Sequence, residues 1–326
     1  MKIRKIMKIR KKSYVIFAFT IILSATGWAQ SKELGPYTVH MIREDVYRIE
    51  DANSGNPPGV VIGDDGQMVS MNNCSDMYLV TGMEKGLLID LSNAVQWDQT
   101  ATSSLRALVE ELLDGKPLLI AVTHNHGDHL GMLPAFAEDP AVRFWVPENE
   151  FKGTGIFPAD RTTYFTENAS LDLGGGVRIA TLEIPGHTPH STCYMLEGED
   201  LMFTGDAIGS GSGIWLFDEA SFYVYKNSVD ELISYIENRE NRIDKEKLQF
   251  YGGHFWQGAQ VGTLGIRYAY DMRTLIKEMK KGSAEAEEMS TFIPFLDTSF
   301  KYGTATISWN EEAAKKYAHA QSESSD

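Results

Sequence analysis

Cysteine is almost missing from this chain. Cys74 and Cys193 are the two present in 326 residues, which excludes a disulfide framework and leaves room for a single bridge in an oxidising compartment. Cys193 alternates with apolar residues in "TCYML" and reads as a buried strand thiol. Internal repeats and low-complexity tracts are absent beyond the ends. The apolar run "YVIFAFTIIL" is shorter than the roughly 20 residues that a membrane span needs. It is preceded by the purely basic "MKIRKIMKIRKK" and followed by the small-residue exit "SATGWAQ". That order predicts a signal peptide over residues 1–29, cut after Ala29 or Gly27, and an exported, periplasmic or secreted product; an uncleaved anchor is the alternative. With no cysteine at the end of the run, lipid attachment there is excluded.

Positive charge is scarce once that segment is set aside. Seven of the 30 Lys and Arg lie in the first 29 residues, which hold no acid, so 23 bases face 45 acids and the remainder carries a net charge of −22. Phosphate backbones are bound through Lys and Arg, so nucleic acid is a poor partner for such a surface. A small-molecule substrate is expected instead, with no membrane anchor after the signal is removed. No oligomeric state is implied.

What the chain does have is a sizeable core: 43% of its residues are hydrophobic and 11% aromatic, as in globular proteins. Short β-like runs, "YTVHMI", "DVYRIED", "MVSMN", "DMYLVTG" and "GLLIDL", open the mature part. A helix follows over "QTATSSLRALVEELLDGK", with Leu105, Leu108, Val109, Leu112 and Leu113 at helical spacing and Gly115 as its stop. "PLLIAV" is a buried strand. After a short helix in "GMLPAFAED" and a strand in "VRFWV", a second group of strands ("VRIATLEI", "TCYMLEG", "DLMFTGD") leads to a helix in "SVDELISYIENRE" capped by Ser228. A strand in "KLQFYGGH" and a long helix in "VGTLGIRYAYDMRTLIKEMKKG" come next; the final 35 or so residues are weakly patterned. Each half supplies a sheet and covering helices, which favours two mixed sheets face to face with helices outside, in one domain over residues 30–326.

Three of the eight histidines crowd into "THNHGDHLG". His124 and His126, two apart in an extended segment, project to one side and can share an ion; Asp128 and His129 lie further round and can reach a second. A His-rich polar turn would explain one or two of these residues but not three further donors at strand ends: His187 in "EIPGHTPHS", Asp206 in "MFTGDAIG" and His254 in "FYGGHFW". Gly252 and Gly253 there allow close backbone approach. Seven N/O donors at four strand exits are more than chance arranges.

The set HxHxDH, then a lone His, a lone Asp and a final His, resembles the metallo-β-lactamase-fold hydrolases, over roughly Tyr37 to His254. The resemblance implies an α+β fold, a four-layer αββα sandwich with a dinuclear metal site at the sheet edge. It implies that His124, His126 and His187 hold one metal, that Asp128, His129 and His254 hold the other, and that Asp206 bridges them. Two divalent ions per chain follow, zinc first, with iron or manganese also accommodated. A metal-bridging hydroxide would hydrolyse the substrate and Asp128 would shuttle the proton to the leaving group. Asp90, in "LLID", would orient a ligand, although Leu91-Ser92 follows where the family has Thr-Gly. "PGHTPG" becomes "PGHTPH", so His190 takes a glycine position and lines the cleft rather than ligating.

Asp206 points away from the true β-lactamase branch and towards ester, lactone or thioester hydrolysis. A β-lactamase or phosphodiesterase, a mononuclear iron dioxygenase acting on persulfides and a non-catalytic zinc-binding protein are the alternatives. "AIGSGSGIWLFDEASFYVY" reads as a glycine-flexed loop that brings Trp215, Phe217, Phe222, Tyr223 and Tyr225 to an apolar pocket, with Phe255 and Trp256 on the same wall; a buried edge strand is the competing reading.

Overall fold

The computed structural model describes residues 31–51, 59–62, 68–72, 74–96, 98–209, 213–255, 263–289, 291 and 293–323. The signal segment and Trp256 lie outside them. Two mixed sheets form the centre, one of eight strands running in space from Ser31–Leu34 to Thr162–Phe165 and one of five strands from Ser170–Gly174 to Gln249–Gly252. Period-two alternation sorts their side chains. Tyr78, Val80, Leu87 and Ile89 face Ile179, Tyr194, Leu196 and Phe203 across the middle. Leu79, Leu88 and Ile120 turn outward under the helix Ala101–Leu113. That helix ends where expected, on left-handed Asp114 and Gly115. On the far side, Met195, Met202 and Phe250 pack under the helices Glu219–Glu237 and Ile266–Lys281. The four layers are helix, sheet, sheet, helix.

Two departures from the sequence reading matter. The helix placed in "SVDELISYIENRE" starts nine residues earlier, at Glu219, because Asp218 caps it by accepting from the Ser221 amide. Ser228 is therefore not a cap. It lies inside the helix and its hydroxyl donates to the Pro185 carbonyl at 2.7 Å. The weakly patterned tail is ordered: Thr298–Tyr302 and Ala305–Trp309 join Ile214–Trp215 and Glu285–Glu288 in a four-stranded sheet, followed by the helix Glu311–Glu323. The tail's two strands are five residues each, with burial that alternates only in part.

Strand register builds the functional edge. Gly86–Ile89 and Leu118–Ala121 are parallel neighbours with Ile89 opposite Ala121, so Asp90 and Thr123–His124 leave the sheet side by side. In the other sheet Leu201–Gly205 and Gln249–Gly252 are parallel, with Gly205 opposite Gly252, so Asp206 and His254 also emerge together. Carboxyl ends of adjacent parallel strands are where α/β sheets place their ligands.

Candidate metal centre

All seven predicted donors meet at that edge. His124, His126 and His187 form one group whose donor atoms lie within 4.8 Å of one another; His124, His129 and Asp206 form a second, and Asp128, His129 and His254 a third. His126 Nδ1 is 3.1 Å from His124 Nε2 and 3.0 Å from His187 Nε2. Asp206 lies between the groups: Oδ2 is 3.5 Å from His187 Nε2 and 3.3 Å from His254 Nε2, and Oδ1 is 3.4 Å from His129 Nε2. Asp128 Oδ2 is 3.4 Å from His254 Nε2.

The far nitrogens of these rings fix which face is bare. His187 Nδ1 donates to the Trp215 carbonyl at 3.0 Å and His254 Nδ1 to the Cys74 carbonyl at 2.6 Å. His129 Nδ1 donates to Asp90 Oδ2 at 2.9 Å, with Ser75 Oγ 3.1 Å away. The Thr123 hydroxyl donates to the same Asp90 oxygen, so it accepts from His124 Nδ1, each at 2.9 Å. In the neutral ring each of these Nε2 atoms is then a lone pair aimed inward. His126 Nδ1 stands about 3 Å from two of these lone pairs and as a donor could serve only one of them, whereas a cation among the three nitrogens would serve all. His129 Nε2 and Asp206 Oδ1 are buried with no hydrogen-bond partner, which is costly without an ion to satisfy them. The donor set fits divalent metal.

Electrostatics say the same. Burial drives His124 well below the usual imidazole range, lowers His126 and takes His187 down to about 4, so this trio is held neutral, as ligation requires. Burial also opposes charge on His129 and His254. Asp206 beside them overrides it, together with Asp90 for His129, and His254 is raised to about 9. Burial pushes Asp206 up, yet His254 and His129 hold it well below the carboxylate range. The second group is a field that draws positive charge.

Glycine is required where these groups crowd. A Cβ on Gly253 would stand 2.5 Å from Asp206 Oδ1 and 2.6 Å from His129 Cε1. Gly253→Ala is expected to deplete metal, read by elemental analysis, and to cost about 1–3 kcal/mol of stability. Full metal content in that variant would show that the approach is not limiting.

Residues 75–243 match the metallo-beta-lactamase superfamily. This chain belongs to that superfamily. Among curated relatives it is 25% identical over 183 residues to an atrochrysone carboxyl ACP thioesterase of Claviceps purpurea, covering 55% of this chain and 50% of the relative. It is 33% identical over 116 residues to a hydroxyacylglutathione hydrolase of Shewanella halifaxensis, covering 34% and 42%. The chain thus spans about half the length, or less, of these curated relatives. In fold it is similar to metallo-beta-lactamases of Erythrobacter litoralis (16% identity, TM-score 0.51, covering 76% of this chain and 100% of that one) and Pontibacter korlensis (15%, 0.52, 74% and 99%). The α+β sandwich inferred from the motif is the fold observed.

The aromatic segment is corrected in part. Phe217 does stand at the centre, its ring centroid 5.6 Å from His126 and 5.1 Å from His187, and Trp215 contributes its carbonyl. Phe222, Tyr223 and Tyr225 do not form a pocket loop, because they lie on the helix Glu219–Glu237. Phe222 is buried against Trp309, Tyr223 is exposed and packs on Tyr317, and Tyr225 is buried beneath Gly186. His190 pairs with Glu183 at 2.6 Å and joins none of the donor groups. Thr123 and Ser75 were not predicted; Thr123 directly precedes the motif, while Ser75 carries no signal in the sequence.

Proposed function

We propose that this chain is an exported, dinuclear metal-dependent hydrolase acting on an ester, lactone or thioester. The observation that carries the reading is the pair of donor groups sharing Asp206. Divalent ions bound there would lower the pKa of a water and polarise the substrate carbonyl. The chain's own residues then have separate tasks. Asp90, Thr123, Trp215 and Cys74 orient the imidazoles; Asp206 supplies charge to both positions; Asp128, half-open to the cleft, holds and passes a proton; Phe217 excludes water beside His126 and His187. The basic N-terminal segment with its short apolar run supports export.

Charge narrows the substrate. The strand-exit segments 122–133, 185–192, 204–218 and 252–265 contain neither Lys nor Arg. Arg48, next to His254's neighbours, is bound by Glu50 and Asp76. Glu150 accepts from the Asn125 amide at 2.8 Å, between His124 and His126. Strand-exit segments without a base, with Glu150 beside them, support an uncharged acyl substrate over an anionic one.

The test is elemental analysis of protein purified without chelator, followed by turnover of matched neutral lactones, neutral esters and an anionic glutathione thioester. About two metals per chain and faster hydrolysis of the neutral set are expected. One iron per chain would move the reading to a mononuclear oxygenase, and preference for the glutathione thioester would overturn the charge argument alone.

A further inference from the structure

Of the three residues before the strand Met77–Thr81, two touch the second donor group and the third holds the backbone that flanks it. Cys74 gives its carbonyl to His254 Nδ1 at 2.6 Å, and Ser75 Oγ lies 3.1 Å from His129 Nδ1. Asp76 then fixes the backbone on both sides of His254. Its amide donates to the Gly253 carbonyl at 2.6 Å and its Oδ2 accepts from the Phe255 amide at 2.8 Å.

Asp76 is wholly buried. Its other oxygen, Oδ1, accepts from Arg48 Nη1 at 2.7 Å. The Arg48 guanidinium lies over the Phe255 ring, 4.5 Å from its centroid, and Phe255 stacks on Tyr251. Buried ion pairs add little net stability, and apolar residues often replace them without loss. A pair at this spot is better explained by what it holds. It holds one segment, Gly253 to Phe255, and its hydrogen bonds to Glu50, Gly253 and Phe255 do not reach the first group. His187 is braced by Trp215 and His124 by Thr123 instead.

We propose that the Arg48–Asp76 ion pair is a positioning device for the second metal position, pre-setting His254 so that this position's affinity is tuned independently of the first. The inference rests on the dinuclear reading above. Asp76 and Arg48 touch neither the donors' inward faces nor the substrate; they act through His254 and Phe255. Ligand-orienting partners of this kind are worth about 10–100-fold in metal affinity.

The experiment is calorimetric zinc titration of the metal-free full-length chain, which reads both affinities without any substrate. Asp76→Ala and Arg48→Met are expected to weaken the second ion about 10–100-fold and to leave the first unchanged. Asp76→Asn keeps an oxygen for the Phe255 amide and should bind the second ion more tightly than Asp76→Ala. If Asp76→Ala does not fold, Arg48→Met and Asp76→Asn carry the comparison. Both ions weakening together, neither weakening, or Asn as defective as Ala would overturn the positioning role. A wild-type chain that takes up one ion overturns the dinuclear reading and this role with it. Two ions with an unmoved second affinity overturn this role alone.

Discussion

Asp128→Asn should lower turnover by about 10²–10⁴-fold while most of the metal stays bound. Among the seven donors, His126 and Asp128 are half-buried and the other five are buried. The Asp128 side chain is 21% exposed against 10% for Asp206, so it is the acid more open to the cleft. It opens the short helix Gly127–Leu130, and its Oδ2 stands 3.4 Å from His254 Nε2. An amide oxygen at that position can still approach the second ion, but an amide neither takes up nor releases a proton at neutral pH. Metal content and turnover measured on one preparation separate the two roles. Metal falling in step with activity would make Asp128 a ligand and nothing more. His190→Ala is the internal contrast: outside the cluster and paired with Glu183, it should keep both metals.

The donors were legible because their chemistry lies in side chains at fixed offsets from strand ends. HxHxDH can be read without knowing the register, and the parallel pairing of Ile89 with Ala121 then delivers Asp90 to the same edge. Asp90 accepts from His129 Nδ1 despite Leu91-Ser92 where the family has Thr-Gly; Ser92 adopts the left-handed conformation and donates to Asp51 at 2.7 Å. What supports the donors was harder to read. Two of the orienting groups, the Trp215 and Cys74 carbonyls, are backbone atoms that any residue would supply. The Arg48–Asp76 pair joins residues 28 apart in sequence, with no periodicity to connect them. The aromatic stretch misled because Tyr223 and Tyr225 have the alternation of a strand, while Asp218 as cap commits the segment to a helix whose buried face includes Phe222, Tyr225 and Val229.

His126→Ala should empty the first metal position and make the chain nearly blind to chelator there. His126 Nδ1 is the atom within about 3 Å of both His124 Nε2 and His187 Nε2, so removing it leaves two buried acceptors facing an unfilled gap. In the wild type, ions bound to the folded state alone stabilise it by about 2.7 kcal/mol at a hundred times Kd and about 4.1 at a thousand times. At about 2.1 cal/mol/K of unfolding entropy per residue, each kcal/mol moves Tm by about 1.5–2 °C in a domain of this size. With each of two ions contributing that much, chelation should lower the wild-type Tm by roughly 8–16 °C. The variant should begin lower and lose less, because chelator can remove only the ion held by Asp128, His129, His254 and Asp206. Thermal melts of both proteins with and without chelator give the comparison directly. An equal chelator shift in the two would mean that His126 holds no metal, and the first position would have to be built from His124, His187 and Asp206 without it.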